Sequence, residues 1–289
     1  MKVTFIGIGS MGKGMADNIL KKNGSLTIWN RTRDKAAVNE LIAAGAEFKE
    51  MEEAAGDADI ICLNLTNDAA LKAVCSQMME FLKPGTVVAD FSTSGPDAAK
   101  ELSAELKECG AYFLDCPVSG GAAGARNGTL AIMAGGDEEA YNKALPVLEM
   151  CGNNIHRMGE SGTGQQAKLI NQMLTWVNQA VVCEGMVLAE KAGIDLGELN
   201  EVLSTSWGRS WMLERSMKDF IIPKNFEERG GTLALMVKDF NLITKMADDL
   251  NCRIPITAAA KVPYDEAMDE GLSGMDPSVV FKAMEKLNT

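Results

Sequence analysis

Three groups of residues in this chain have types and spacings suited to chemistry. The first is Gly7-Ile8-Gly9-Ser10-Met11-Gly12, a G-x-G-x-x-G run that follows the apolar stretch Lys2–Ile6 and precedes a helical pattern at Lys13–Leu20. In that setting the spacing serves phosphate binding. Gly7 permits a tight turn, Gly9 lets the backbone approach a pyrophosphate, and Gly12 lets the helix pack close on the strand. The phosphates would sit on the N–H groups of the helix N-terminus, where the macrodipole favours negative charge. The second group is Ser119-Gly120-Gly121, just after the short apolar run ending at Asp115. A hydroxyl and unobstructed backbone N–H groups there suit a substrate carboxylate. The third is Lys168, with Asn171 and Gln172 at i+3 and i+4. That spacing sets an amine able to carry a proton beside two amides on one helical face.

The second strand, Leu26–Trp29, ends at Asn30-Arg31-Thr32-Arg33. An Asp or Glu at this point would hydrogen-bond the ribose 2′-hydroxyl of NAD. A neutral Asn, an Arg fork and a Thr hydroxyl instead suit a 2′-phosphate, which a carboxylate would repel. This favours NADP(H) over NAD(H). The alternative is that Arg31 and Arg33 are solvated and Asn30 meets an NAD ribose directly.

Other chemistries are thinly provided for. The chain holds one histidine, His156, between glycines in what reads as a short terminal strand, and this is taken as structural. Proton transfer therefore falls to Lys, Tyr, Asp or Cys. Seven scattered cysteines without a C-x-x-C pair predict no disulfide framework, no metal site and a reducing, cytoplasmic setting. Each is expected to be a small buried hydrophobe. With 28 Lys and Arg against 40 Asp and Glu, the net charge of −12 disfavours nucleic acid and anionic membrane as partners. No apolar run approaches the length of a spanning helix. Met1-Lys2 runs directly into a strand, which predicts no secretory leader.

The elements that must position these groups follow from periodicity. Short apolar runs at 2–7, 26–29, 58–65, 86–91, 111–115, 130–134 and 155–157 predict strands covered on both faces. Helical stretches at 11–22, 34–44, 68–82, 96–109 and 137–151 lie between them. The expectation is an α/β fold: an N-terminal doubly wound Rossmann sheet, with mixed strands at its far edge. Near Gly159–Gly164 the pattern changes. A segment from Gln165 to Ala192 predicts a helix about 42 Å long. Further helices are expected at 195–205, 208–219, 231–250, 255–271 and 276–287. The domains expected are 1–162, binding the cofactor, and 163–289, all-helical, joined by the long helix. Trp207 and Trp211, spaced i, i+4, either wall a substrate pocket or pack in the core.

Taken in order, Gly7–Gly12, Asp115-Cys116-Pro117-Val118-Ser119-Gly120-Gly121, Gly162-Thr163-Gly164-Gln165-Gln166-Ala167-Lys168-Leu169-Ile170-Asn171-Gln172 and Lys238-Asp239 resemble the β-hydroxyacid dehydrogenase family over essentially the whole chain. The resemblance implies that Lys168 is the catalytic residue, giving a proton to the carbonyl oxygen in reduction and taking it back in oxidation. It implies that Lys238 lies near the nicotinamide and the substrate carboxylate, and that the Ser-Thr stretch at Thr93 contacts ribose and substrate. Asn64-Leu65-Thr66 would line the cofactor site through its backbone. Some members have Asn at the position of Gln172 and others at that of Asn171, so which amide meets substrate stays open. The implied activity is hydride transfer between NADP(H) and a small carboxylate-bearing aldehyde or 3-hydroxy acid. An NAD-dependent 3-hydroxyisobutyrate dehydrogenase, an imine reductase and a non-catalytic cofactor-binding protein are the alternatives. The resemblance also implies a homodimer or homotetramer formed through the helical domain.

Overall fold

A computed structural model of the chain describes residues 1–227 and 230–288. It divides into two compact units, Met1–Lys168 and Leu169–Thr289.

The first unit is built on one sheet. Its parallel part comprises β1 (Val3–Ile6), β2 (Thr27–Trp29), β3 (Glu47–Phe48), β4 (Ile60–Leu63), β5 (Val87–Asp90) and β6 (Tyr112–Asp115). The far edge adds β7 (Val118–Ser119), β8 (Leu130–Gly135) and β9 (Gly152–Gly159). The order is β3-β2-β1-β4-β5-β6-β8-β7, with β9 also paired to β8. Pairs from β3 through β6 are parallel, whereas β8 runs antiparallel to β6 and β7 and parallel to β9. The chain leaves β1 toward one side for β2 and resumes on the other at β4, so the carboxyl end of β1 is the switch point where such sheets bind ligands.

Strands β1, β4 and β5 are buried at every position. Period-2 alternation splits their side chains between two cores. Phe5, Cys62 and Ala89 face one, with Met15, Ile19 and Val147; Ile6, Ile61 and Val88 face the other, with Leu71, Leu102 and Phe113. The covering helices are α1 (Ser10–Asn23), α2 (Ala36–Ala43), α3 (Met51–Gly56), α4 (Asp68–Met78), α5 (Pro96–Glu108), α6 (Gly121–Asn127) and α7 (Glu138–Cys151). Helix α1 lies unusually close to α6. A Cβ added at Gly14 would come within 2.8 Å of the Arg126 amide nitrogen. Asn18 Nδ2 donates across the seam to the Ala125 carbonyl at 2.7 Å.

Helix α8 (Thr163–Lys191) begins in the first unit and continues into the second. The second unit adds α9 (Leu196–Ser204), α10 (Trp211–Ser216), α11 (Leu233–Asp249), α12 (Pro255–Asp269) and α13 (Val280–Leu287). Its core gathers Cys183, Met217, Phe220, Phe240, Tyr264 and Phe281. The helix expected at 208–219 is observed as α10, which starts at Trp211 and passes after Ser216 into a wider π turn at Met217–Ile221.

Elements absent from the sequence reading are β3, α3, β7 and α6. Trp207 and Trp211 are not core residues: they are exposed at 106% and 70%. Two cysteines also depart from the expectation, since Cys109 and Cys252 are exposed while the other five are buried. All seven are unpaired. His156 lies exposed in β9, its Nε2 2.7 Å from Asn154 Oδ1. Among the described residues no helix is long and apolar enough to cross a membrane, and no group of three or more His, Cys, Asp or Glu is arranged to hold a metal.

Candidate functional site

The G-x-G-x-x-G turn lies between β1 and α1, and its three glycines face different surroundings. Gly7 has φ +96°, a conformation that disfavours side chains. A Cβ there would lie 2.3 Å from the Asn64 carbonyl oxygen, and one on Gly12 would lie 2.1 Å from the Gly7 carbonyl oxygen. Gly9 differs: it adopts ordinary extended backbone, and an added Cβ would meet no atom within 4 Å. The protein's own packing demands Gly7 and Gly12 but not Gly9. Gly9 is also the N-cap of α1 and supplies no side-chain cap. The opening N–H groups of Ser10, Met11 and Gly12 have no acceptor in the preceding turn, as at any helix start. An open surface beside exposed helix donors fits a dinucleotide pyrophosphate.

Neighbouring loops are tied to this turn by side chains. Asn30 Oδ1 accepts the Ile8 N–H at 2.9 Å, and Asn30 Nδ2 donates to the Thr32 carbonyl at 2.7 Å. Asn30 thus links the phosphate turn to the loop after β2 and is occupied in doing so. Arg31 and Thr32 are exposed. The Arg33 guanidinium stands 4.9 Å over the Phe48 ring. At the end of β4, the Asn64 N–H is donated to the Ile6 carbonyl at 3.0 Å, and Leu65 N–H to Ser92 Oγ at 2.8 Å. Thr66 is exposed.

Two buried carboxylates at strand ends set the rest of the first unit. Asp90 closes β5, fully buried; its Oδ1 accepts from the Ser92 N–H at 3.0 Å and from Ser92 Oγ, while Oδ2 has no partner. Burial pushes its carboxyl up to about 7, against the opposing bonds from Ser92. Asp115 closes β6. Its Oδ1 accepts the Gly162 N–H and its Oδ2 the Gln165 N–H, each at 2.8 Å. Burial raises its carboxyl to about 6, opposed by these backbone bonds. It therefore caps the start of α8, where negative charge suits the dipole. Gln165 in turn reaches back: its Nε2 donates to the Ser92 carbonyl at 2.9 Å, and its Oε1 accepts the Ser94 N–H at 3.1 Å. Three residues along α8 comes Lys168, buried at 6% exposure.

Ser119 ends the short β7 after Asp115, and Gly120 is the N-cap of α6. Gly120 has φ +133°, and Gly120 and Gly121 are exposed. Gly121 is the first residue of α6.

The second unit assembles its own polar chain. Asn171 Nδ2 donates to Gln172 Oε1 at 3.1 Å, and Gln172 Nε2 donates to Asp239 Oδ2 at 2.6 Å. Lys238 Nζ stands 3.4 Å from Asp239 Oδ1. Gln172 and Asp239 are buried. Both ends of the Gln172 amide are engaged, and the chain of bonds does not use Asn171 Oδ1.

Sequence reasoning quoted Asp115 and Gln165 without a role. The available signal was their polarity at the ends of otherwise apolar strands and in the first turn of α8.

Residues 2–159 match the NAD binding domain of 6-phosphogluconate dehydrogenase, and residues 162–284 match the NAD-binding domain of NADP-dependent 3-hydroxyisobutyrate dehydrogenase. The chain is 33% identical over 291 residues to 2-(hydroxymethyl)glutarate dehydrogenase of Eubacterium barkeri, covering 99% of this chain and 96% of that one. The chain belongs to the β-hydroxyacid dehydrogenase family. Another β-hydroxyacid dehydrogenase relative, 2-hydroxy-3-oxopropionate reductase of Escherichia coli, is 33% identical, with 99% and 97% covered. The crystal structure of 3-hydroxyisobutyrate dehydrogenase from Salmonella typhimurium superposes with TM-score 0.88 at 31% identity, covering 98% of this chain and 99% of that one. An imine reductase from Streptomyces aurantiacus, 21% identical with TM-score 0.67, shares the fold. As a β-hydroxyacid dehydrogenase family member the chain is an oxidoreductase with NAD(P)-binding domains.

Proposed function

We propose that this chain is an NADP(H)-dependent β-hydroxyacid dehydrogenase or short-chain semialdehyde reductase, with Lys168 as general acid and base. The observation that carries the reading is the surround of Lys168. It is a buried lysine in the opening turns of α8, one turn after residues fixed by Asp115 and by the Ser92–Ser94 loop. In this reading Lys168 Nζ gives a proton to the carbonyl oxygen during reduction and recovers it during oxidation. A bound nicotinamide dinucleotide would supply or accept the hydride. Ser119, Gly120 and Gly121 offer a hydroxyl and N–H donors to the substrate carboxylate, and Lys238 offers a positive charge. Thr93 contacts ribose and substrate. Of the two amides Asn171 is assigned to the substrate, because Gln172 is already bonded at both ends.

Preference for NADP(H) is supported by what stands at the end of β2. No carboxylate occupies that position, and the exposed Arg31 and Thr32 can meet a 2′-phosphate. Seven unpaired cysteines support a reducing compartment. Exposed Ile170, Leu174, Val181 and Leu188 along α8 support self-association as a dimer or tetramer.

The test is NADPH oxidation, followed by absorbance, against glyoxylate, succinic, tartronate and methylmalonate semialdehydes and a cyclic imine. Reduction of at least one carboxylate-bearing aldehyde, faster with NADPH than NADH, is expected. Lys168→Ala should abolish it while leaving NADPH binding. Reduction of the imine alone, or retained turnover in Lys168→Ala, overturns the reading.

A further inference from the structure

We propose that Gln165 is a positioning residue, registering the backbone around Thr93 against the turn of α8 that carries Lys168. The proposal rests on the assignment of Lys168 as proton donor. Its basis is the bracket that the Gln165 side chain forms. Nε2 donates to the Ser92 carbonyl at 2.9 Å, and Oε1 accepts the Ser94 N–H at 3.1 Å. The amide therefore grips the residues on either side of Thr93. Gln165 is fully buried, and its own backbone N–H is donated to Asp115 Oδ2 at 2.8 Å. Lys168 follows at i+3, on the same face of the helix.

The residue type is dictated by this arrangement. The side chain must donate to a carbonyl and accept from an N–H at once. A carboxylate cannot donate, an ammonium cannot accept, and an aliphatic chain does neither. A hydroxyl is too short to reach both groups across one residue. Losing the bracket would strand a buried carbonyl and a buried N–H. The loop and the helix turn would then be free to shift relative to each other, and a misplacement near 1 Å can cost about 100-fold in rate.

Two substitutions separate positioning from mere structural support. Gln165→Met keeps the length and removes both bonds. We expect kcat to fall about 100-fold, with the NADPH dissociation constant, read by fluorescence, rising less than about tenfold, as the loss of one ribose contact at Thr93 allows. Gln165→Glu carries the sharper test. Its protonated carboxyl has an O–H for the Ser92 carbonyl and an oxygen for the Ser94 N–H, reproducing the amide. Its ionised form has no donor. Burial holds such a carboxyl above the usual range. The kcat of Gln165→Glu should therefore approach the parent's as pH falls and drop away as pH rises, whereas Gln165→Met stays uniformly low. Each point is taken as a ratio to the parent, because Asp115 and Asp90, which face the same residues, titrate from about 6 and about 7. The aldehyde is whichever of the four semialdehyde-type substrates above the parent reduces fastest.

A Gln165→Glu ratio flat with pH, or Gln165→Met within threefold of the parent's kcat, overturns the proposal. If neither variant folds, Gln165 is a structural residue and the proposal falls. Lys168→Ala in the same assay distinguishes the two levels. If it retains turnover, the assignment of the proton donor has failed. If it is dead while Gln165→Met is active, only the positioning role has failed.

Discussion

Gly9 and Gly12 of the phosphate turn make opposite predictions about stability and binding. In Gly12→Ala, the new Cβ would lie 2.1 Å from the Gly7 carbonyl oxygen. Real contacts of this kind do not fall below 3.0 Å, so backbone must move by about 1 Å. Overpacking costs roughly 1–3 kcal/mol, and backbone pressed on backbone belongs at the upper end. About 3 kcal/mol corresponds to a Tm lowered by roughly 6–12 °C. In Gly9→Ala the methyl enters open space, and the residue's φ of −94° and ψ of −166° suit alanine. Restricting the unfolded chain is worth about 0.4–1 kcal/mol and the poorer N-cap that alanine makes costs a similar amount, so Tm should stay within roughly 2–4 °C of the parent's. The same methyl blocks close approach of a pyrophosphate. Two lost charge-assisted hydrogen bonds, at roughly 1.5–3 kcal/mol each, raise the Kd for NADPH at least about 100-fold. The assay is thermal unfolding of each variant without cofactor, with NADPH titrated by fluorescence. A Gly9→Ala protein that melts like Gly12→Ala, or that binds NADPH as the parent does, refutes the assignment of this turn.

Asn30→Asp keeps an acceptor for the Ile8 N–H but loses the donor to the Thr32 carbonyl and adds a negative charge beside Arg31; titration should show NADPH affinity falling about tenfold or more with NADH affinity little changed. For Asp90, burial lifts the folded-state carboxyl from 3.8 to about 7. The folded protein therefore binds the extra proton between these values, and the stabilisation it brings is complete below about pH 4 and lost as pH rises through about 7. Asp90→Asn should abolish that contribution, of the order of 4 kcal/mol, and flatten the fall of denaturant-derived stability between pH 4 and 7; an unchanged slope would refute it. Gln172→Glu sets a second carboxyl against Asp239 where a donor stood at 2.6 Å, and should cost roughly 3 kcal/mol at pH 8, less at pH 5, by thermal melts. Alkylation of the native protein should label Cys109 and Cys252 alone by mass spectrometry, since the other thiols are buried, and burial raises those of Cys62, Cys116, Cys151 and Cys183.

The doubly wound sheet was legible because its central strands, buried on both faces, stand out as apolar runs. What escaped was short or set by distant packing. Strands β3 and β7 have two residues each, too few for any period to register. Helix α6 is made of Gly, Ala, Arg and Asn with no apolar stripe, and it forms where it can lie against α1. In the site, Gly7–Gly12 could be read from spacing, since a motif is local. The tasks of Asp115 and Gln165 could not, because their partners lie 47 to 73 residues away. The exposure of Trp207 and Trp211 was likewise hidden, since large aromatics at i, i+4 usually mark a buried face.

The seam between α1 and α6 acts as a gauge block. The helix that opens at the phosphate turn and the helix that opens after Ser119 touch backbone to backbone at Gly14, with Asn18 pinned across them. At Gly14 itself no side chain intervenes, so nothing there can be trimmed to narrow the gap. The spacing between the two loops is thereby calibrated by main-chain contact at Gly14 and by the Asn18 pin, and retuning this scaffold for a longer or shorter ligand must be done by changing what projects from the loops.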